Sequence, residues 1–209
     1  LLLRHRYKKM AKTTKKETVS DKKSSEKNPA RKKQYKVLFG FLLILFSIAL
    51  LVSFVSFFIH GQEDQSAVSD LLNREENVQN WLGKFGAYLA DFFIYKGFGA
   101  ASFIFVKLFF LSGAFLLLDL PIKKLKNTWF WDLFAIIILS IIFAFFATSL
   151  PELGGTIGYE MNLFFQDYIG KTGTILVLVF GLLIYIIFKI KVSPDSIKSF
   201  VEKKKKEIF

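Results

Sequence analysis

The sequence of 209 residues contains no cysteine, four prolines and two histidines. Without cysteine, neither a disulfide framework nor a thiolate metal site can form. His5 and His60 lie 55 positions apart and build neither a metal site nor a catalytic pair. No acid is set against a serine or threonine in a way that would activate a nucleophile. Gly170-Lys171-Thr172 ends like a phosphate-binding loop, but the required first glycine is replaced by Phe165 and no buried strand precedes it. Gly97-x-Gly99-x-x-Ser102 likewise lacks the third glycine and the strand of a dinucleotide fingerprint. The expectation is a chain that is not an enzyme and carries no cofactor and no metal.

Hydrophobic residues make up 53%, phenylalanine alone occurs 26 times, and the net charge is +12. Mean hydropathy is +0.40. These averages mix two populations, apolar spans and basic segments. Val37–Ile59 has no charge, Pro, Asn, Gln or His. As a helix it reaches roughly 35 Å at about 1.5 Å per residue, enough for a bilayer core of ~30 Å. It is too long for a signal-peptide core and lacks a small-residue cleavage pattern.

Three more spans follow, giving an all-α membrane protein with four transmembrane helices at 37–59, 98–118, 133–150 and 173–188. The domain division reads 1–36 as a disordered basic tail, 37–191 as the membrane domain, and 192–209 as a second basic tail. Residues 1–36 hold 14 Lys/Arg against Glu17, Asp21 and Glu26, and Asn28-Pro29 interrupts any helix. Met10-Ala11-Lys12 reads as a natural start, with Leu1–Lys9 upstream of it. The tail serves as a topology signal, or as a contact for anionic lipid or DNA phosphate.

Between the first two spans, Val78, Trp81, Leu82, Phe85, Leu89 and Phe92 fall at helical spacing, with Asn77 as a candidate cap. This predicts an amphipathic helix, lying at the membrane interface or packed on the bundle, that leads into span two. Trp81, Tyr88 and Tyr95 suit an interfacial belt. A short loop carrying Lys123, Lys124 and Lys126 joins spans two and three, with Trp129 and Trp131 entering the third. Ser140, Ala144 and Thr148 make a small-residue ridge on span three, suited to close helix contact in lipid. The third loop, rich in glycine, has room for a short helix over Met161–Ile169. In the C-terminal tail, Ser193-Pro194-Asp195 reads as a cap for a helix ending in Lys203–Lys206.

Lysine and arginine alternate across the spans. They dominate before span one, in loop two (three against Asp119) and after span four, while acids dominate loops one and three. By the positive-inside rule, both termini and loop two are cytoplasmic and loops one and three lie outside.

Lys107 stands alone near the middle of span two, where a lysine costs roughly 2.5–3.5 kcal/mol on insertion scales. Its nearest same-segment acid, Asp119, is about 18 Å away along a helix. Snorkelling, an interface contact, or an ion or proton path would each account for it.

The ordered glycines carry a resemblance: Gly83…Gly86-Ala87, Gly97-Phe98-Gly99-Ala100-Ala101, then Leu153-Gly154-Gly155-x-Ile157-Gly158 and Gly170-x-x-Gly173. With four spans, a lysine-rich start and an amphipathic stretch before span two, residues from about Lys32 to Lys191 resemble the N-terminal membrane domain of the FtsK/SpoIIIE DNA translocases, in a Bacteroidetes-like version. The resemblance implies a membrane anchor in the bacterial inner membrane at the division septum. It also implies assembly with copies of itself as a homo-oligomer, a hexamer, and contact with divisome membrane proteins. DNA would be reached only through a cytoplasmic ATPase motor. No Walker A motif follows within this sequence, so the expectation is either a fragment of a longer protein or a stand-alone membrane domain. Candidate packing and assembly residues are Lys107, Gly97, Gly99, Ser140, Ala144, Thr148, Gly154, Gly155, Gly158 and Gly173. The alternative is a small polytopic transporter or channel subunit in which Lys107 lines the path.

Overall fold

The computed structural model describes residues 29–68, 78–145 and 151–190, with side chains from 31–60, 78–145 and 152–190. Every regular element among them is helical. Helix α1 is Pro29–Val68, α2 is Gly83–Ala90, α3 is Phe103–Leu117, α4 is Ile122–Ala144 and α5 is Gly155–Tyr185. A π-helical segment, Asp91–Phe98, and a 3-10 turn, Gly99–Ser102, join α2 to α3. Another 3-10 turn, Pro151–Leu153, precedes α5, and a π-helical turn, Ile186–Ile190, closes it. Four stretches, Arg31–His60, Gly83–Leu117, Ile122–Ala144 and Gly155–Ile190, are long and apolar enough to cross a membrane.

Several boundaries differ from the expectation. Helix α1 begins at Pro29, ahead of Val37, because proline at a first helical position gives up only an N–H that has no partner there. Asn28-Pro29 therefore opens the helix instead of interrupting it. The lysines at 123, 124 and 126 sit in the first turns of α4, not in a loop. The true connection is the turn at Leu118–Pro121, where Asp119 takes a positive φ of 54°. Helix α5 starts at Gly155 and not at Met161, and Gly170 (φ 69°, ψ 168°) breaks it into 155–169 and 171–185. Helix α1 runs on to Val68 and takes in Glu63 and Asp64 of loop one. The tail up to residue 28, the loop-one acids Asp70, Glu75 and Glu76, Asn77, Thr148 and the tail from Lys191, with Lys203–Lys206, lie outside the described residues.

The helix before span two is present, and most of its large apolar stripe faces outward. Trp81, Phe85 and Phe92 are exposed, while Gly86, Ala87, Leu89, Ala90 and Ile94 are buried. In water the large apolar residues would turn inward. Against lipid there is little hydrophobic gain in burying them, and small residues that let backbones approach take the inner face. The helix packs on the bundle against α1, with Leu50, Phe54, Phe57, Leu89 and Ile94 in one cluster. Its N-cap position is Leu82, with no side-chain cap bond, and just ahead of the helix the Asn80 Oδ1 atom accepts from the Leu82 N–H at 3.1 Å.

The spanning helices run antiparallel in sequence order. Along α1 and α3, Gly40 faces Gly113 so closely that a Cβ on Gly113 would lie 2.6 Å from the Gly40 carbonyl oxygen. Farther along the same pair, the rings of Phe46 and Phe109, then Phe54 and Phe103, meet edge-on at 5.1 and 5.5 Å. Edge-to-face rings of this kind contribute about 0.5–1.5 kcal/mol beyond burial. Leu108 and Ile136 join α3 to α4, and Ile138 and Leu178 join α4 to α5.

Candidate functional site

Polar side chains on apolar helices need partners, since an unpaired buried polar group costs several kcal/mol in a lipid-like interior. Three serines on α1 meet that need by bonding to neighbouring helices. Ser47 Oγ donates to the Val106 carbonyl at 2.8 Å, and Ser53 Oγ donates to the Gly86 carbonyl at 2.5 Å. Ser56 Oγ accepts from the Trp81 N–H at 3.0 Å, and Asn80 Nδ2 donates to the Ser53 carbonyl at 3.1 Å. Gly40, Ser47 and Phe54 recur every seven residues, with Ser53 and Ser56 flanking that face. That spacing was the available signal. An apolar run read only for its length conceals it.

The expected glycines converge on one junction. Gly99 (φ 63°) and Gly155 (φ 65°) both take left-handed backbone, where a side chain is strained. A Cβ on Gly99 would collide with the Leu153 carbonyl, and one on Gly155 would lie 2.5 Å from the Gly97 carbonyl oxygen. A Cβ on Gly154 would lie 2.9 Å from the Ala144 backbone, and one on Gly158 2.5 Å from the Ser140 carbonyl oxygen. Ser140 Oγ donates to the Gly154 carbonyl at 2.7 Å, and Thr156 Oγ1 donates to the Tyr95 carbonyl at 2.9 Å. The ridge of Ser140 and Ala144 is thus occupied within the chain. Gly97 is buried at the kink, and a Cβ on Gly173 would lie 3.0 Å from the Ile169 side chain.

Lys107 is not alone. Its Nζ stands 2.6 Å from Oδ2 of Asp132, a carboxylate with no solvent exposure. Lys189 Nζ approaches the other oxygen at 3.6 Å. The three charges come from α3, α4 and the closing turn of α5. The partner of Lys107 lies one span away and not along its own helix. An acid inside the Trp129–Phe134 stretch was the signal that could have found it. Asp132 also adds a second acid between spans two and three, where Lys123, Lys124 and Lys126 still outnumber Asp119 and Asp132. Beside the cluster, Trp129 Nε1 donates to Ser112 Oγ at 2.9 Å, and Ser112 Oγ donates to the Leu108 carbonyl at 2.7 Å.

Two further ion pairs mark the ends of the first half, one exposed and one with its acid, Asp91, buried. Lys36 bonds to Asp119, and this ammonium holds the Asp119 carboxyl below its ordinary 3.8. Near the glycine junction, Lys96 Nζ lies 2.6 Å from Asp91 Oδ2. Among the described residues, no group of three His, Cys, Asp or Glu could hold a metal ion. The arrangement joins helices through a buried carboxylate, serine bonds and glycine contacts. Its chemistry is that of assembly and packing.

A family described as the 4TM region of DNA translocase FtsK/SpoIIIE matches residues 32–203. No curated protein and no solved structure matches the chain.

Proposed function

Because this chain belongs to the FtsK/SpoIIIE 4TM family, and is therefore a multi-pass membrane protein, we propose that it is the membrane anchor and oligomerisation domain of a septal DNA translocase. The match over residues 32–203 carries this reading. The domain holds both basic tails on the cytoplasmic face of the inner membrane. It assembles with copies of itself, meets divisome membrane proteins through loops one and three, and touches DNA only through a motor domain. It performs no chemistry of its own. The alternation of lysine and arginine across the spans supports the orientation. The Lys107–Asp132 pair supports a structural role for Lys107 over a path-lining one, since its charge is already answered within the chain.

A fluorescent fusion of the chain tests the reading in dividing cells of its source. The expected result is a band at the septum that persists in Lys107→Leu. Uniform membrane fluorescence throughout the division cycle would sink it. A topology reporter fused at Lys124 should give a cytoplasmic signal, and an external signal would overturn the orientation.

A further inference from the structure

Asp132 meets its two lysines on unequal terms. The Lys107 contact is a close one at 2.6 Å, and the Lys189 contact is longer at 3.6 Å. The carboxylate is fully buried, and its two cations leave one surplus positive charge. Loss of Lys107 would strand the carboxylate with only a distant partner. Loss of the Lys189 contact would not, because Lys107 goes on neutralising Asp132. Lys189 itself is released cheaply. It lies in the last turn of the fourth span, and a lysine at a helix end can carry its head toward water along its own stem.

The helix that Lys189 closes is also the one held most loosely. Only 17% of the most apolar window of Gly155–Ile190 is buried, against 28% or more in the other three spans. Beyond Gly170, the buried residues of α5 are Thr174, Leu178 and Gly181. Past Gly181 the attachments include Leu182, which packs on the Ile138–Leu178 cluster, the Trp131–Phe188 ring stack at 5.8 Å, the Trp131–Tyr185 edge contact at 6.3 Å, and the ion pair. The backbone there changes to a π-helical turn, Ile186–Ile190, with no buried residue. Such wide turns recur at functional sites.

We propose that the Lys189–Asp132 contact is a releasable latch on the end of the fourth helix. Closed, it fixes that end to α4. Open, it frees the turn from Ile186 onward while the Lys107–Asp132 pair keeps the rest of the bundle intact. The cluster thus divides its work between a permanent pair and a switching one.

The absence of native cysteine makes the test direct. Spin labels at Phe130→Cys and Ile187→Cys, both exposed, report the distance between α4 and the end of α5 in the full chain held in phosphatidylethanolamine–phosphatidylglycerol nanodiscs. Labels at Leu42→Cys and Phe110→Cys, also exposed, report α1 against α3. Lys189→Met should broaden the first distance distribution roughly twofold, as the open state becomes populated, and leave the second unchanged. Lys189→Arg should keep the first narrow, and so should Lys107→Met. An unchanged first distribution in Lys189→Met would overturn the latch. So would joint broadening of both pairs, which would make Lys189 a general fold contact. Broadening in Lys107→Met equal to that in Lys189→Met would overturn the division of roles.

Discussion

Asp132 is the residue on which most of the electrostatics turns. A buried ion pair is a modest source of net stability, but removing one partner leaves an uncompensated charge and costs about 3–5 kcal/mol. Lys107→Met leaves the fully buried carboxylate with only the longer Lys189 contact at 3.6 Å, so its cost should reach the order of 3 kcal/mol. Asp132→Asn should cost less, because both lysines it leaves behind have side chains that already reach solvent. The double variant Lys107→Met/Asp132→Asn should lose less than the two singles summed. Reversible unfolding in lipid nanodiscs measures all three, and strict additivity would show that the pair does not interact. Lys107 was visible in the sequence because a mid-span lysine breaks an apolar run. Asp132 was hidden because it stands next to Trp131 at the edge of one, where an acid reads as part of the flank.

Helix ends and helix contacts are set by glycine here, and the glycines are not equivalent. Gly99 and Gly170 both have positive φ, at 63° and 69°. A Cβ at Gly99 would meet the backbone of Leu153, whereas one at Gly170 would meet nothing within 4 Å. Gly170→Ala should therefore carry little beyond the conformational penalty, on the order of 1 kcal/mol. Gly99→Ala adds a backbone collision that no side-chain rotation relieves, and should cost several-fold more. Thermal unfolding of the two variants side by side checks this, and equal losses would deny the junction its role. The sequence marked these glycines as places where chains turn or approach. That Gly97 and Gly99 press on Gly154 and Gly155, from segments more than 50 residues apart, is a tertiary fact with no local signal.

For the whole molecule, the four spans form a sequential antiparallel bundle in which each packs on the next. The first half is bound by serine bonds and phenylalanine rings, and the second by the glycine junction and the Asp132 cluster. The Ser140–Ala144 ridge faces Gly154 and Gly158 of the same chain, so it is not open to a neighbouring copy. The outward face of α5, with Leu176 at 65% and Phe180 at 65% exposure, is open. Under oxidising conditions in membranes, Leu176→Cys should therefore link copies far more readily than Ser140→Cys. Efficient linking through position 140 would place the ridge between protomers and contradict the packing.

Length and the spacing of charge determined the class of this protein without any coordinates. An apolar run of about 20 residues crosses a bilayer as a helix, which satisfies its own backbone, so four such runs dictate four spanning helices. The glycine order carried the family. Which faces turn inward was decided only by the tertiary structure. In lipid the large apolar side chains gain little from burial, so hydrophobic periodicity no longer points at the core. That is why the Trp81–Phe85–Phe92 stripe faces outward, and why Ser47, Ser53, Gly86 and Gly113 hold the interior. It is also why the partner of Lys107 appears only when α3 and α4 are laid side by side.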